Sequence, residues 1–238
     1  MAHGFTQTGR SWGPFGQALA ERRRLALVDL PGHGGSSDVR ADLPTAGRLL
    51  LEAAGPGPID LLGYSLGARV ALHAALADPG AVRRMVLIGA TAGLEDPARR
   101  AERRRRDEAL ADQLEGDDDL EGFLQRWLAQ PMFARLGATA GLDERRQNTP
   151  AGLASSLRLA GTGTQEPLWP QLARLAIPTL VVAGADDVRF TAVGRRLVDA
   201  LADATWALVP GAGHAAHLEQ PGLSARVVAH WLEAGDEA

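Results

Sequence analysis

The chain contains no cysteine, which excludes disulfide scaffolds, thiolate metal sites and thiol nucleophiles. It contains no lysine either. All 25 basic residues are arginine, so Schiff-base chemistry and a phosphate-loop lysine are also excluded. A formal net charge of −4 provides no global basic field to attract nucleic acid. No apolar run approaches the ~18–20 residues of a membrane span, and the opening MAHGFTQTGR has no run of signal-peptide type. A cytoplasmic protein is the expectation. What remains, 238 residues at 45% hydrophobic and 23% charged, suits one globular α/β domain with room for an insertion.

Short apolar runs bounded by turn residues recur along the chain: LALVDL (25–30), IDLLGY (59–64), RMVLIGA (84–90), TLVVAG (179–184) and TWALVP (205–210). They are rich in Val, Leu and Ile without strict alternation, as expected of parallel strands buried on both faces. Helical segments fall between or after them, at Trp12–Arg22, Thr45–Ala54, Leu66–Ala77, Thr191–Ala202 and Leu223–Glu233. The alternation predicts an α/β fold, a mostly parallel sheet flanked by helices. About 88 residues separate the third and fourth runs, several times a normal crossover. This stretch has helix-like segments at Ala98–Leu114, Leu120–Ala129 and Pro150–Ala160 and little strand signal. It predicts a helical cap over residues 95–164, inserted into a core made of residues 1–94 and 165–238. The run ARRAERRRRDE (98–108) reads, on charge alone, as a solvated arginine-rich helix face.

The chemistry is most legible in PIDLLGYSLGARVALHAAL (58–76). A strand leads into Gly63-Tyr64-Ser65-Leu66-Gly67 and a helix follows, the strand–turn–helix context of a nucleophile elbow. The two glycines let strand and helix backbones approach closely. Ser65 sits at the strained apex, and the Leu66 amide, opening the helix, is a natural donor to an oxyanion. A serine hydroxyl needs a base. His214, in VPGAGHAAHLEQP (209–221), directly follows the last predicted strand and is favoured over His217, three residues on at the start of a short helical turn. AGADDVRF (183–190) follows the penultimate strand and offers Asp186 or Asp187 to orient the imidazole; spacing does not separate them. The order serine, acid, histidine is that of α/β-hydrolases. A second oxyanion donor is expected from an early Gly-rich loop, and His3-Gly4-Phe5-Thr6 fits, with the Phe5 amide donating. Arg69, four residues after Ser65 and on the same helix face, is either salt-bridged to an acid or turned toward an anionic ligand. Arg99, Arg100, Arg103, Arg104, Arg105, Arg106, Arg145 and Arg146 are further cationic candidates in the predicted cap, and several arginines around one pocket would suit a polycarboxylate.

The motifs HGFTQTGRSW (3–12), DLPGHGGS (29–36), GYSLGARVALH (63–73), RWLAQPMF (126–133), ERRQN (144–148), SLRLAGTGTQEPLW (156–169) and PGAGHAAHLEQP (210–221) span most of the chain. Together they resemble the 2-succinyl-6-hydroxy-2,4-cyclohexadiene-1-carboxylate synthases of menaquinone biosynthesis, lyases built on the α/β-hydrolase fold. The core motifs are common to many α/β-hydrolases; GYSLGAR together with the cap motifs is far more specific. The resemblance implies elimination of pyruvate from a cyclohexene bearing an enolpyruvyl ether, a succinyl group and a ring carboxylate, with no cofactor. It implies Ser65, His214 and Asp187 as the base system, Phe5 and Leu66 as the oxyanion hole, and Tyr64, Arg69, Arg103, Trp127 and Arg146 as substrate-binding residues. Arg103 is the best register within the arginine-rich run, to within a residue or two.

Three departures from the family pattern stand out. Ala185 replaces a frequent Glu, Ala68 replaces a frequent Gly, and the chain opens almost at HGF, so that either the start is misassigned or the sheet has lost the family's opening strands. Two alternatives accompany the lyase reading: a carboxylic-ester or carbon–carbon-bond hydrolase using the same triad, and a shortened, inactive relative that only binds ligand. The expected partner is a small polycarboxylate, without nucleic acid or membrane span, for a monomer or a homo-oligomer.

Overall fold

The computed structural model describes residues 1–117, 119–137 and 140–236. Four strands form one parallel sheet: β1 (Ile59–Tyr64), β2 (Val82–Ile88), β3 (Thr179–Gly184) and β4 (Ala204–Val209), ordered β1-β2-β3-β4. The register pairs Gly63 with Leu87, Leu87 with Val181 and Val181 with Trp206. Leu61, Leu62, Met85, Val86, Leu87, Ile88 and Leu180–Val182 are nearly solvent-free, so the sheet centre is covered on both faces. One covering layer is α2 (Leu43–Ala54), α3 (Leu66–Ala77) and α8 (Val188–Ala200); the other is α1 (Gly13–Ala20), the short α9 (Ala216–Glu219) and α10 (Pro221–Ala234). Local chemistry sets several helix starts. Asp42 accepts from the Thr45 amide and Pro44 opens α2, while Asp187 accepts from the Phe190 amide and opens α8.

The run 25–30 departs from expectation, because it is not a strand. Its one ladder contact is a parallel bridge from Val28 to Ala2, and Ala2 bridges Gly63 on its other side. Ala2 donates to Leu62 O at 2.8 Å and accepts from the Tyr64 amide at 3.0 Å. A single residue thus serves as the rung between β1 and the 25–30 segment. Met1 adds two bonds, its amino group donating to Ala26 O at 2.6 Å and its carbonyl accepting from the Val28 amide at 3.3 Å, but they do not extend into a ladder, and Leu27 is left exposed. This rung delivers His3-Gly4-Phe5 to the C-terminal edge of the sheet, beside Ser65.

Between β2 and β3 the chain forms α4 (Pro97–Asp117), α5 (Leu120–Leu128), α6 (Leu142–Arg145) and α7 (Pro150–Ala160). These helices have an apolar cluster of their own, with Ala111, Leu114, Phe123, Leu124, Leu128, Leu153 and Leu157 at its centre. Charge dresses its outer side, where Arg158 binds Glu108, Asp112 and Glu115. No helix among the described residues is long and apolar enough to cross a membrane.

Candidate active site

Ser65 has φ 51° and ψ −103°, a conformation that L-residues rarely adopt and that requires support from both sides. Glycine provides the room. A Cβ on Gly63 would overlap the Gly67 carbonyl, and one on Gly67 would overlap the Ala2 carbonyl. The Gly67 amide also donates to His3 O at 3.0 Å, which ties the elbow to the HGF loop. The Phe5 and Leu66 amides make no hydrogen bond among the described residues, and both residues line the same cavity as Ser65. Two uncommitted donors beside a serine hydroxyl can receive a developing oxyanion.

His214 Nε2 lies 3.2 Å from Ser65 Oγ, and Nδ1 lies 2.9 Å from Asp187 Oδ2. Burial opposes ionisation of Asp187, but hydrogen bonds from His214 and the Phe190 amide outweigh it and hold the carboxyl below its usual range. An ionised Asp187 places the proton on Nδ1 and leaves Nε2 free to accept from the serine. The ambiguity between the two acids resolves geometrically, because Asp186 turns outward to Arg135 at 2.6 Å. The histidine loop is held by Glu219, which accepts from the amides on both sides of His214, Gly213 at 2.5 Å and Ala215 at 3.0 Å. His217 is fully buried between Trp12, Phe15 and Tyr64, and burial pushes its pKa down to about 3. It is packed as a neutral aromatic ring, away from Ser65.

The cavity over Ser65 holds about 310 Å³. Arg69, Arg103, Arg106, Arg145 and Arg189 line it, and Asp107 is its one acid among the described residues. Among the described residues Arg69 has no carboxylate within salt-bridge distance. It donates to Ala160 O at 2.8 Å and to Gln165 Oε1 at 3.4 Å, and burial, aided by Arg103, lowers its pKa to about 9. It therefore remains a cation at neutral pH, although deeply desolvated. Arg103 donates to the buried Asp107 at 2.8 Å. Trp127 and Tyr64 line the cavity, the Trp127 ring 4.9 Å from that of Phe5. Burial raises the Tyr64 pKa, which keeps the phenol neutral.

Arg146 is a correction. It lies at the surface in ion pairs with Glu121 and Asp143, outside the cavity. The preceding residue, Arg145, is 2% exposed and lines the cavity. It donates to Thr6 Oγ1, has no carboxylate within 4.0 Å among the described residues, and burial lowers its pKa to about 10. A four-residue helix has too few turns for sequence periodicity to distinguish its inner from its outer arginine. Asn148 of the same turn donates to Thr6 O at 2.8 Å, so two residues of the insertion grip Thr6, itself at φ 66°. Sequence reasoning missed Asn148, Glu219, Gln7, Arg189 and Phe190. Each nonetheless lies in a segment the sequence singles out: Gln7 in HGFTQTGRSW, Asn148 in ERRQN, Arg189 and Phe190 in AGADDVRF, and Glu219 in the HLEQP motif. Among the described residues no His, Asp or Glu cluster has the makings of a metal site.

The alpha/beta hydrolase fold family model matches residues 1–221. The chain is 34% identical to the 2-succinyl-6-hydroxy-2,4-cyclohexadiene-1-carboxylate synthase of Serratia proteamaculans, over 97% of this chain and 91% of that protein. It is 33% identical to the synthase of the same name from Escherichia coli O1:K1, over 92% and 87%. Among solved structures, MenH from S. aureus superposes with a TM-score of 0.89 at 27% identity, covering 98% of this chain and 92% of that one.

Proposed function

The chain belongs to the alpha/beta hydrolase fold family and, within it, to the 2-succinyl-6-hydroxy-2,4-cyclohexadiene-1-carboxylate synthases; on that premise we propose that it is a carbon–oxygen lyase of menaquinone biosynthesis. Its substrate is 2-succinyl-5-enolpyruvyl-6-hydroxy-3-cyclohexene-1-carboxylate, and its products are pyruvate and 2-succinyl-6-hydroxy-2,4-cyclohexadiene-1-carboxylate. The observation that carries this reading is the joining of a Ser–His–Asp array to a cavity with five arginines and one acid. The substrate bears three carboxylates, and guanidinium groups match them in charge and geometry.

In this scheme His214 accepts the Ser65 proton as the serine oxygen removes the ring hydrogen next to the succinyl carbonyl. Charge delocalises onto that carbonyl oxygen, where the Phe5 and Leu66 amides receive it. The electrons return through the ring double bond, the carbon–oxygen bond to the enolpyruvyl group breaks, and the departing enolate takes up a proton to become pyruvate. No acyl-enzyme forms. Asp187 keeps the imidazole in the required tautomer and stabilises the imidazolium. We assign carboxylate binding to Arg69, Arg103 and Arg145, and the apolar wall to Tyr64 and Trp127. Residues 95–164 act as the cap over residues 1–94 and 165–238. The reading carries a cytoplasmic location with it, since so highly charged a metabolite does not cross a bilayer unaided.

Purified protein mixed with the enolpyruvyl substrate is expected to release one pyruvate per turnover in a lactate-dehydrogenase-coupled assay. Absence of pyruvate, together with a burst from an activated ester and acylated Ser65, would overturn the lyase reading in favour of a hydrolase.

A further inference from the structure

We propose that Gln7 is a substrate-contacting, specificity-determining residue, whose carboxamide Nε2 donates to a carboxylate or carbonyl oxygen of the ligand beside the oxyanion loop. The proposal rests on the polycarboxylate reading above and adds to it a neutral donor that the arginines do not supply.

Gln7 is 1% exposed and lines the cavity with Phe5, Tyr64, Ser65 and Arg145. Its orientation is fixed chemically. The Gly4 amide donates to Oε1 at 2.9 Å, and an amide N–H can donate only to the oxygen end of a carboxamide. Nε2 is therefore at the other end, where it has no acceptor among the described residues. Leaving a buried donor unmatched forfeits its hydration with no return, so native proteins rarely tolerate it without a ligand or water to complete it. Holding the Gly4 turn does not explain the choice of side chain. A serine, threonine or aspartate three residues on could accept the same amide bond and leave no orphan donor.

The surroundings indicate what completes it. Thr6, the adjacent residue, receives Arg145, a buried guanidinium with no carboxylate within 4.0 Å among the described residues. Trp127 Nε1, on a third lining residue, is likewise a buried donor without an acceptor. Among the described residues this wall offers two neutral N–H groups without an acceptor and a cation without a carboxylate partner. A carboxylate accepts only, through two oxygens, and satisfies such a set. Gln165 provides the contrast. Its Nε2 is also unpaired, but its Oε1 serves Arg69 and it does not line the cavity.

The test compares wild type, Gln7→Glu and Gln7→Met in calorimetric titration with 2-succinylbenzoate, the stable aromatic counterpart of the product, with the pyruvate assay and melting temperature alongside. Gln7→Glu keeps the acceptor for the Gly4 amide and loses the donor; Gln7→Met loses the donor without adding charge. The expected result is a Kd weakened about tenfold or more in both variants, with KM rising in parallel and kcat of Gln7→Glu and its melting temperature little changed. Wild-type affinity in Gln7→Met overturns the proposal, since repulsion alone would then account for any loss in Gln7→Glu. Wild-type affinity in Gln7→Glu overturns it as well, by reducing Gln7 to a turn support. Failure of the wild type to bind the probe has the same meaning. If the probe binds and both variants weaken it while the wild type releases no pyruvate, the lyase reading falls and the Gln7 contact stands.

Discussion

At the scale of single residues, the division of labour among the histidines is decided by what each ring nitrogen meets. His214 has a hydroxyl on one side and a carboxylate on the other, whereas neither nitrogen of His217 has a partner among the described residues. Ser65→Ala and His214→Ala are each expected to lower kcat by about 10²–10⁴, the range of a lost general base, in the coupled pyruvate assay. His217→Ala should leave kcat within a few-fold. It should instead lower unfolding stability by on the order of 3 kcal/mol in urea titration, because it opens a cavity in the aromatic cluster. Equal kinetic losses at both positions would refute the assignment. Arg69 is a cation stabilised by carbonyl oxygens rather than by an acid. Arg69→Ala should therefore impair turnover of the tricarboxylate substrate far more than hydrolysis of a neutral nitrophenyl ester. Equal impairment of both would mark it as structural.

At the scale of elements, close approach of backbones dominates. Gly67 lies against the carbonyls of Ala2 and His3, so Gly67→Ala must push the HGF loop away from the elbow. The expected result is a loss of about 1–3 kcal/mol in stability from overpacking, and a fall in kcat of about 10²–10³ as the Phe5 amide leaves its place. Far-UV circular dichroism separates this outcome from unfolding. The elbow, the long helices and four of the five apolar runs were legible in the sequence because each rests on local chemistry: a glycine spacing, an apolar period, a capping acid. The fifth run, 25–30, was not, because a strand exists only if a neighbour supplies its ladder, and here the contacts stop at the Ala2 bridge, two bonds to Met1 and one to the His3 ring. The choice between Arg145 and Arg146 was equally hidden. It depends on which way a single helical turn faces, and that is set by Thr6, 139 residues earlier in the chain.

At the scale of the whole molecule, three histidines, His3, His33 and His217, are fully buried, and burial lowers the pKa of each below its ordinary value, to about 4 for His33 and about 3 for His217. The unfolded chain binds protons on them near pH 6.5 while the folded chain does not. Their stabilising contribution is complete above that pH and drains away as pH falls toward the folded values. Each should remove about 1.4 kcal/mol per pH unit below 6.5, as read by urea denaturation between pH 7.5 and 5. Replacing His217 by Phe should make that slope shallower by the share of one proton. An unchanged slope would show that this ring is protonated in the native state.

Arg145 and Asn148, although they belong to the helical insertion, hold the threonine that immediately follows Phe5. On the proposed reading, roof and oxyanion donor are one mechanical unit: a shift of the 142–148 turn reaches Thr6 and, through it, the neighbouring Phe5 amide. Changes confined to that turn should appear as slower chemistry even where they never touch the reacting ring.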